Sequence, residues 1–257
     1  MTKFEALFGI KAHEVKRNCI LMPMLPKGII NDFKISKLNR GRIYGAGNSE
    51  NLTLIHTLIG PAFTGDAVLW LKETKCENII LFGSCGGVRE TKDLTIGSLV
   101  VPVKCYANES FTEFLGRGLS LKIASSPAAP RNDTAKRLGR ARNDTASLRE
   151  NLVGGLVKIT GARKVICASI PSLKLEESMT GLFIKNKIDV VDMECSACFS
   201  AAKYTGLRAA ALFYVSDVIN KYSFYRELDV DKKERLASAI KTAATLLCKL
   251  TKTNFSA

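Results

Sequence analysis

Histidine is nearly absent from this 257-residue chain, which carries only His13 and His56. So low a count argues against a multi-histidine metal centre. Tryptophan occurs once, and no basic stripe is interleaved with aromatic residues, so the stacking platform of a single-strand nucleic-acid binder is missing. The eight cysteines include a single Cys-x-x-Cys spacing, Cys195-Ser196-Ala197-Cys198, and no second pair that would complete a four-cysteine zinc site. No apolar run approaches the ~20 residues needed to span a bilayer, and no early stretch has the order of a secretory signal. A Walker loop and the three-glycine dinucleotide fingerprint are absent as well.

What is present suits a soluble α/β protein. At 46% hydrophobic residues the chain can bury a large core, and its length fits one domain over residues 1–257 better than two. Cys85, Cys167, Cys195 and Cys248 lie inside apolar segments and read as buried free thiols of a reducing, cytoplasmic compartment, with neither disulfides nor a metal expected. His56, within Leu54-Ile55-His56-Thr57-Leu58-Ile59, reads as a satisfied strand residue. The formal charge of +14, from 38 basic and 24 acidic residues, favours encounter with phosphates and nucleotides. A lysine-rich solvated surface accounts for that charge without nucleic acid as a partner.

Strand-like runs recur at Ile43–Ala46, Leu52–Ile59, Asn78–Phe82, Leu99–Val103, Lys164–Ala168, Val190–Met193 and Ala209–Val215. Helical patterns alternate with them at Ala62–Glu73, Glu176–Lys187, Cys195–Tyr204 and Asp231–Lys249. The alternation predicts a mixed, mostly parallel central sheet flanked by helices. Residues 127–150 differ in character: they lack an apolar face and repeat Arg131-Asn132-Asp133-Thr134-Ala135 as Arg142-Asn143-Asp144-Thr145-Ala146. They read as a polar, basic surface insertion, with a lid over an anionic ligand as the sharper alternative.

Two short apolar runs end abruptly in acids: Ile188-Asp189-Val190-Val191-Asp192-Met193-Glu194 and Leu212-Phe213-Tyr214-Val215-Ser216-Asp217. Buried strands ending this way deliver carboxylates to the edge of a sheet, where open α/β folds bind ligands. The segment Cys195–Gly206 is expected to be a helix returning the chain to the next parallel strand. Asn78–Phe82 leads into Gly83-Ser84-Cys85-Gly86-Gly87, read as a glycine turn that lets backbone amides and the Ser84 hydroxyl approach a ligand. Taken singly, either acid has a blander explanation as a cap of the helix after its strand.

Taken in order and spacing, Gly83-Ser84-Cys85-Gly86-Gly87, Val191-Asp192-Met193-Glu194 and Val215-Ser216-Asp217 resemble the nucleoside phosphorylase and nucleosidase superfamily. That group contains purine nucleoside phosphorylase, uridine phosphorylase and the methylthioadenosine/S-adenosylhomocysteine nucleosidases. The resemblance runs from about Ile43 to the final helix and leaves 127–150 unmatched. It implies cleavage of the N-glycosidic bond of a nucleoside, with no cofactor or metal and with inorganic phosphate as a possible co-substrate. It further implies Glu194 on the ribose hydroxyls, Met193 packed on the sugar, and Val191 near the base. Asp217, oriented by Ser216, would protonate the leaving base, and an aspartate there points to a purine; Gly83 and Ser84 would hold the nucleophile. A homo-oligomer is the implied partner.

The chain departs from that pattern at the phosphate site. Phosphorylases of the group carry a Gly-Asp-Pro stretch and an arginine before the Gly-Ser pair. Here the corresponding segments read Leu21-Met22-Pro23-Met24-Leu25-Pro26 and Ile79-Ile80-Leu81-Phe82. Lys27, Lys34, Arg40 and Arg42 are available replacements, and no spacing selects one. Glu5 and Glu14 are candidates for the water-activating glutamate of the nucleosidases, although neither has the expected Met-Glu context. Hydrolysis is therefore slightly favoured over phosphorolysis, and a nucleoside-binding protein that has lost turnover is the rival from another class.

Overall fold

The computed structural model describes residues 1–108, 122–124 and 152–252; the insertion at 127–150 lies outside them. Ten strands among the described residues form one mixed sheet: β1 (Asn18–Met22), β2 (Asn39–Arg40), β3 (Gly45–Asn48), β4 (Leu52–His56), β5 (Asn78–Gly87), β6 (Leu99–Ala107), β7 (Lys122–Ala124), β8 (Arg163–Ser169), β9 (Val190–Asp192) and β10 (Arg208–Val218). The longest ladders, β5 with β10 and β6 with β8, are parallel. Strand β5 is shared. It pairs with β1, β10 and β9, and the path from β9 through β8 and β6 returns to β10. Five strands therefore close a ring, while β1, β4, β3 and β2 extend from it as an open wing.

Side-chain alternation explains why both faces of this sheet are covered. Along β1, β5 and β10, Cys19, Leu21, Ile79, Leu81, Ala211 and Phe213 enter one apolar cluster. Their neighbours Ile20, Met22, Ile80, Phe82, Ala210 and Leu212 enter the other, as a period of two requires. The first face takes the helices Pro61–Leu71 and Cys195–Thr205, through Ala67, Val68, Leu71, Cys198 and Phe199. The second takes the long helix Val230–Lys252, through Ala243, Ala244, Leu247 and Leu250. Strands buried on both sides read as unbroken apolar runs, and truncating one such side chain, Leu21→Ala, is expected to cost about 2–5 kcal/mol.

Two expectations need correction. The helix Cys195–Thr205 does not join parallel neighbours. Strand β9 runs antiparallel to β5 and β10 runs parallel to it, so the helix links two strands on opposite edges of β5. The segment Glu176–Lys187 is not one helix either: it divides into Leu173–Glu176, a tight 3-10 turn Glu177–Met179, and Thr180–Lys185. Thr180 and Gly181, weak helix formers, open the last of these helices directly after the 3-10 turn. Strand β1, central between β4 and β5, lacks the β-branched enrichment that marks strands, with Ile20 its only such residue.

Candidate active site

Strand β5 changes partners partway along one edge. Asn78–Leu81 pair with β1, and Gly86 and Gly87 pair with β9. Between them, residues 82–85 keep β10 on the other edge but have no ladder partner on this one among the described residues. A cleft opens at that break, where the strand order divides, the place at which α/β sheets admit ligands. Gly83, Ser84, Val191, Met193, Glu194, Ser216 and Asp217 all line it. The lip is apolar, with Pro23, Met24, Ile59, Leu173 and Phe224.

The glycine segment is not a turn. Gly83 to Gly87 continue β5 to its end, and none of its three glycines has a positive φ. Their role is room rather than reversal. At Gly86 an added Cβ would lie 2.6 Å from Glu176 Oε1, 3.0 Å from Asp217 Oδ2 and 3.2 Å from Val191 Cγ2, so two carboxyl groups occupy the space a side chain would take.

Glu194 stands at the N-cap position of the helix Cys195–Thr205, yet its side chain does not cap it. Asp192 does: its Oδ2 accepts from the Glu194 N–H at 2.9 Å and the Cys195 N–H at 2.6 Å. With the helix end satisfied, the Glu194 carboxylate turns across the cleft and its Oε1 accepts from Gly60 N–H at 2.7 Å. Gly60 holds φ at 120°, a conformation open to glycine, and Pro61 then starts the next helix. Asp192 Oδ1 in turn accepts from Ser169 Oγ at 2.6 Å, and burial pushes this carboxyl up to about 7 against those hydrogen bonds.

Asp217 does not cap a helix either, because β10 continues to Val218. The ladder with β5 slips between Val215, paired with Cys85, and Asp217, paired with Gly86. One extra residue there makes a β-bulge, which re-aims the side chains beyond it and presents Ser216 and Asp217 to the cleft. Ser216 Oγ donates to Asp217 Oδ1 at 2.6 Å. Burial raises the Asp217 pKa above the usual carboxylate range, and the Ser216 hydrogen bond opposes part of that rise.

Sequence reasoning missed Glu176. It is 6% exposed, lines the cleft beside Asp217, and is pushed up to about 8 by burial and the neighbouring Asp217 carboxyl. Its segment had the pattern of a surface helix, and nothing local marks it as facing inward. Asp192 was visible as an acid but not as the cap that frees Glu194. Lys27, Lys34, Arg40 and Arg42 are exposed and do not line the cleft. Glu14 instead accepts from Lys11 N–H at 2.7 Å, and Glu5 lies in the first helix, away from the cleft. His56 ends β4 half-buried, where burial lowers its pKa. The sulfurs of Cys105, Cys167 and Cys195 lie within 4.8 Å of one another, a donor set of the kind soft cations use. Cys167 donates to Asp192 Oδ1 at 3.4 Å, so the trio also supports the cap.

A ring-closed mixed sheet with a carboxylate-rich cleft at the break in strand pairing defines an α/β protein built around a small-molecule site. The chain belongs to the phosphorylase superfamily, whose family model matches residues 30–252. Uridine phosphorylase from Vibrio fischeri is similar in structure, with a TM-score of 0.65 at 18% identity over 93% of each chain. AMP nucleosidase from Bacteroides thetaiotaomicron gives 0.63 at 13% identity, covering 93% of this chain and 92% of that one. The 5'-methylthioadenosine/S-adenosyl homocysteine nucleosidase of Campylobacter jejuni gives 0.63 at 15% identity, covering 93% and 99%. No curated protein matches in sequence. Among the described residues no helix is long and apolar enough to cross a membrane.

Proposed function

We propose that the chain cleaves the N-glycosidic bond of a purine-type nucleoside and transfers the sugar to water. The observation that carries this reading is the charge of the cleft. Glu176, Asp192, Glu194 and Asp217 line it, and no lysine or arginine does among the described residues. Breaking the bond builds positive charge on the sugar and negative charge on the departing base. Fixed carboxylates stabilise the first, and a proton donor must meet the second.

Asp217 is that donor. Burial raises its pKa, which favours the protonated form that a general acid needs. Ser216 occupies Oδ1, so the proton rides on Oδ2, the oxygen beside Gly86. Glu194 accepts from the ribose hydroxyls, Met193 packs on the sugar, Val191 borders the base, and Ser84 with the open edge of β5 orients the incoming water. Phosphate would bring a dianion among four carboxyl groups with no cation among the described lining residues to pair it, which is unfavourable. A phosphorylase and two nucleosidases share this fold, so the fold does not choose the acceptor. The reaction asks for no metal or cofactor, and eight free thiols fit work in the cytoplasm; the resemblance to oligomeric enzymes makes a homo-oligomer the expected assembly.

Chromatography of base and sugar after incubation with adenosine, inosine, methylthioadenosine or futalosine, with and without phosphate, tests this. Phosphate-independent release of base and free sugar supports hydrolysis. Release only with phosphate, giving a sugar 1-phosphate, contradicts it. Binding of a nucleoside without release from any of them would identify a binding protein instead.

A further inference from the structure

We propose that Cys105, Cys167 and Cys195 form a buried three-thiol site for a trivalent arsenical, a soft, uncharged ligand that takes three sulfurs. The pairing of strands brings the thiols together. Cys105 on β6 and Cys167 on β8 are register partners in a parallel ladder, so their side chains stand side by side on one face of the sheet. Cys195 opens the helix Cys195–Thr205 that covers this face, and the three sulfurs lie within 4.8 Å of one another. One soft atom bonded to three sulfurs at about 2.3 Å, the zinc–thiolate length, sets them about 4 Å apart, which this triangle can meet.

Burial selects the occupant. All three cysteines are 0% exposed and belong to an apolar cluster, where net charge is costly. Zinc asks for a fourth donor, and the neighbouring Asp192 is committed: its Oδ1 accepts from Cys167 and Ser169, and its Oδ2 from the Glu194 and Cys195 N–H groups. Copper(I) is soft enough for thiolates, but with three of them it leaves net negative charge buried beside that carboxyl. Arsenous acid enters uncharged and condenses with the thiols. Three As–OH and three S–H groups become three As–S bonds and three waters, with no change of oxidation state and no net charge left behind.

Loading also reaches the cleft, a consequence that rests on the proposed nucleoside cleavage. The Cys167 hydrogen that Asp192 Oδ1 accepts leaves with water, and the sulfur next along the chain from Glu194 becomes fixed. Both changes fall on the cap that frees the Glu194 carboxylate, so base release should decline as the site fills.

Native mass spectrometry of the full, reduced chain with arsenite tests the site without reference to activity. One arsenic per chain is expected, with three thiol hydrogens lost and no hydroxyl retained, together with a rise in Tm. Cys105→Ala, Cys167→Ala and Cys195→Ala should each lose that adduct, and Cys248→Ala, outside the trio, should keep it. An adduct that retains a hydroxyl and has lost only two thiol hydrogens would place arsenic on a thiol pair and overturn the site. So would no adduct, or an undiminished triple adduct in Cys105→Ala. The wild-type mass counts the thiols by itself, so the test decides even where a variant fails to fold. Full loading with base release unchanged would overturn the link to Glu194 and leave the site standing.

Discussion

Glu194 and Asp217 line one cleft, yet their surroundings differ in kind. Glu194 accepts a backbone N–H from Gly60 at a helix end that Asp192 has already capped. Asp217 sits on a bulged strand, against a hydroxyl and a second carboxyl, and burial raises its pKa. The contrast teaches how one fold places two acids for opposite duties. An acid given N–H donors serves as a fixed acceptor, and an acid given burial is driven toward its protonated form.

The largest way to break the contrast is Asp217→Asn, which keeps the volume and can keep the Ser216 contact but has no acidic proton. Base release should fall about 10²- to 10⁴-fold in kcat with KM little changed; a loss confined to KM would remove the proposed role. Glu194→Gln should cost less, about 10- to 100-fold in kcat/KM, the scale of a hydrogen bond to a charged group. Steady-state kinetics of both variants on one substrate rank the two sides directly.

Gly86→Ala places a methyl group against Glu176 and Asp217 and should lower kcat about tenfold while costing about 1–3 kcal/mol of stability, as overpacking does. Unchanged activity in that variant would mean the two carboxyls do not need their observed positions. Asp192→Asn tests the cap: one acceptor becomes a donor facing Ser169 or the helix N–H groups. Thermal unfolding should show a loss of about 1–3 kcal/mol. A separate effect is on the pH dependence of stability. Asp192, at about 7, and Glu176, at about 8, bind protons more tightly folded than unfolded. Their contribution is therefore fully present below the ordinary carboxylate range and is lost as pH rises through their folded values. Denaturant titrations from about pH 4 to about pH 8 should show that decline, flattened in Glu176→Gln.

Much of this architecture was legible in the sequence. The runs at Asn78, Lys164, Val190 and Ala209 became β5, β8, β9 and β10, because strands buried on both faces need unbroken apolar residues. Glu194 and Asp217 were visible as acids ending those runs, and both line the cleft together with Met193 and Ser84. Ring closure was not legible, because it depends on β5 holding three partners, which no local pattern encodes. The Ser216 bulge and the convergence of Glu176 on Gly86 are long-range consequences of the same pairing. The lid suggested for 127–150 lies outside the described residues.

The most direct test of the central claim, that Asp217 acts by protonating the leaving group, compares two substrates in Asp217→Asn. Adenosine needs a proton on its departing base, whereas 4-nitrophenyl riboside releases a stable phenolate without one. The account predicts that Asp217→Asn loses adenosine cleavage by orders of magnitude and keeps cleavage of the nitrophenyl riboside near the wild-type rate. Equal loss on both substrates would contradict it and make Asp217 a structural residue of the cleft.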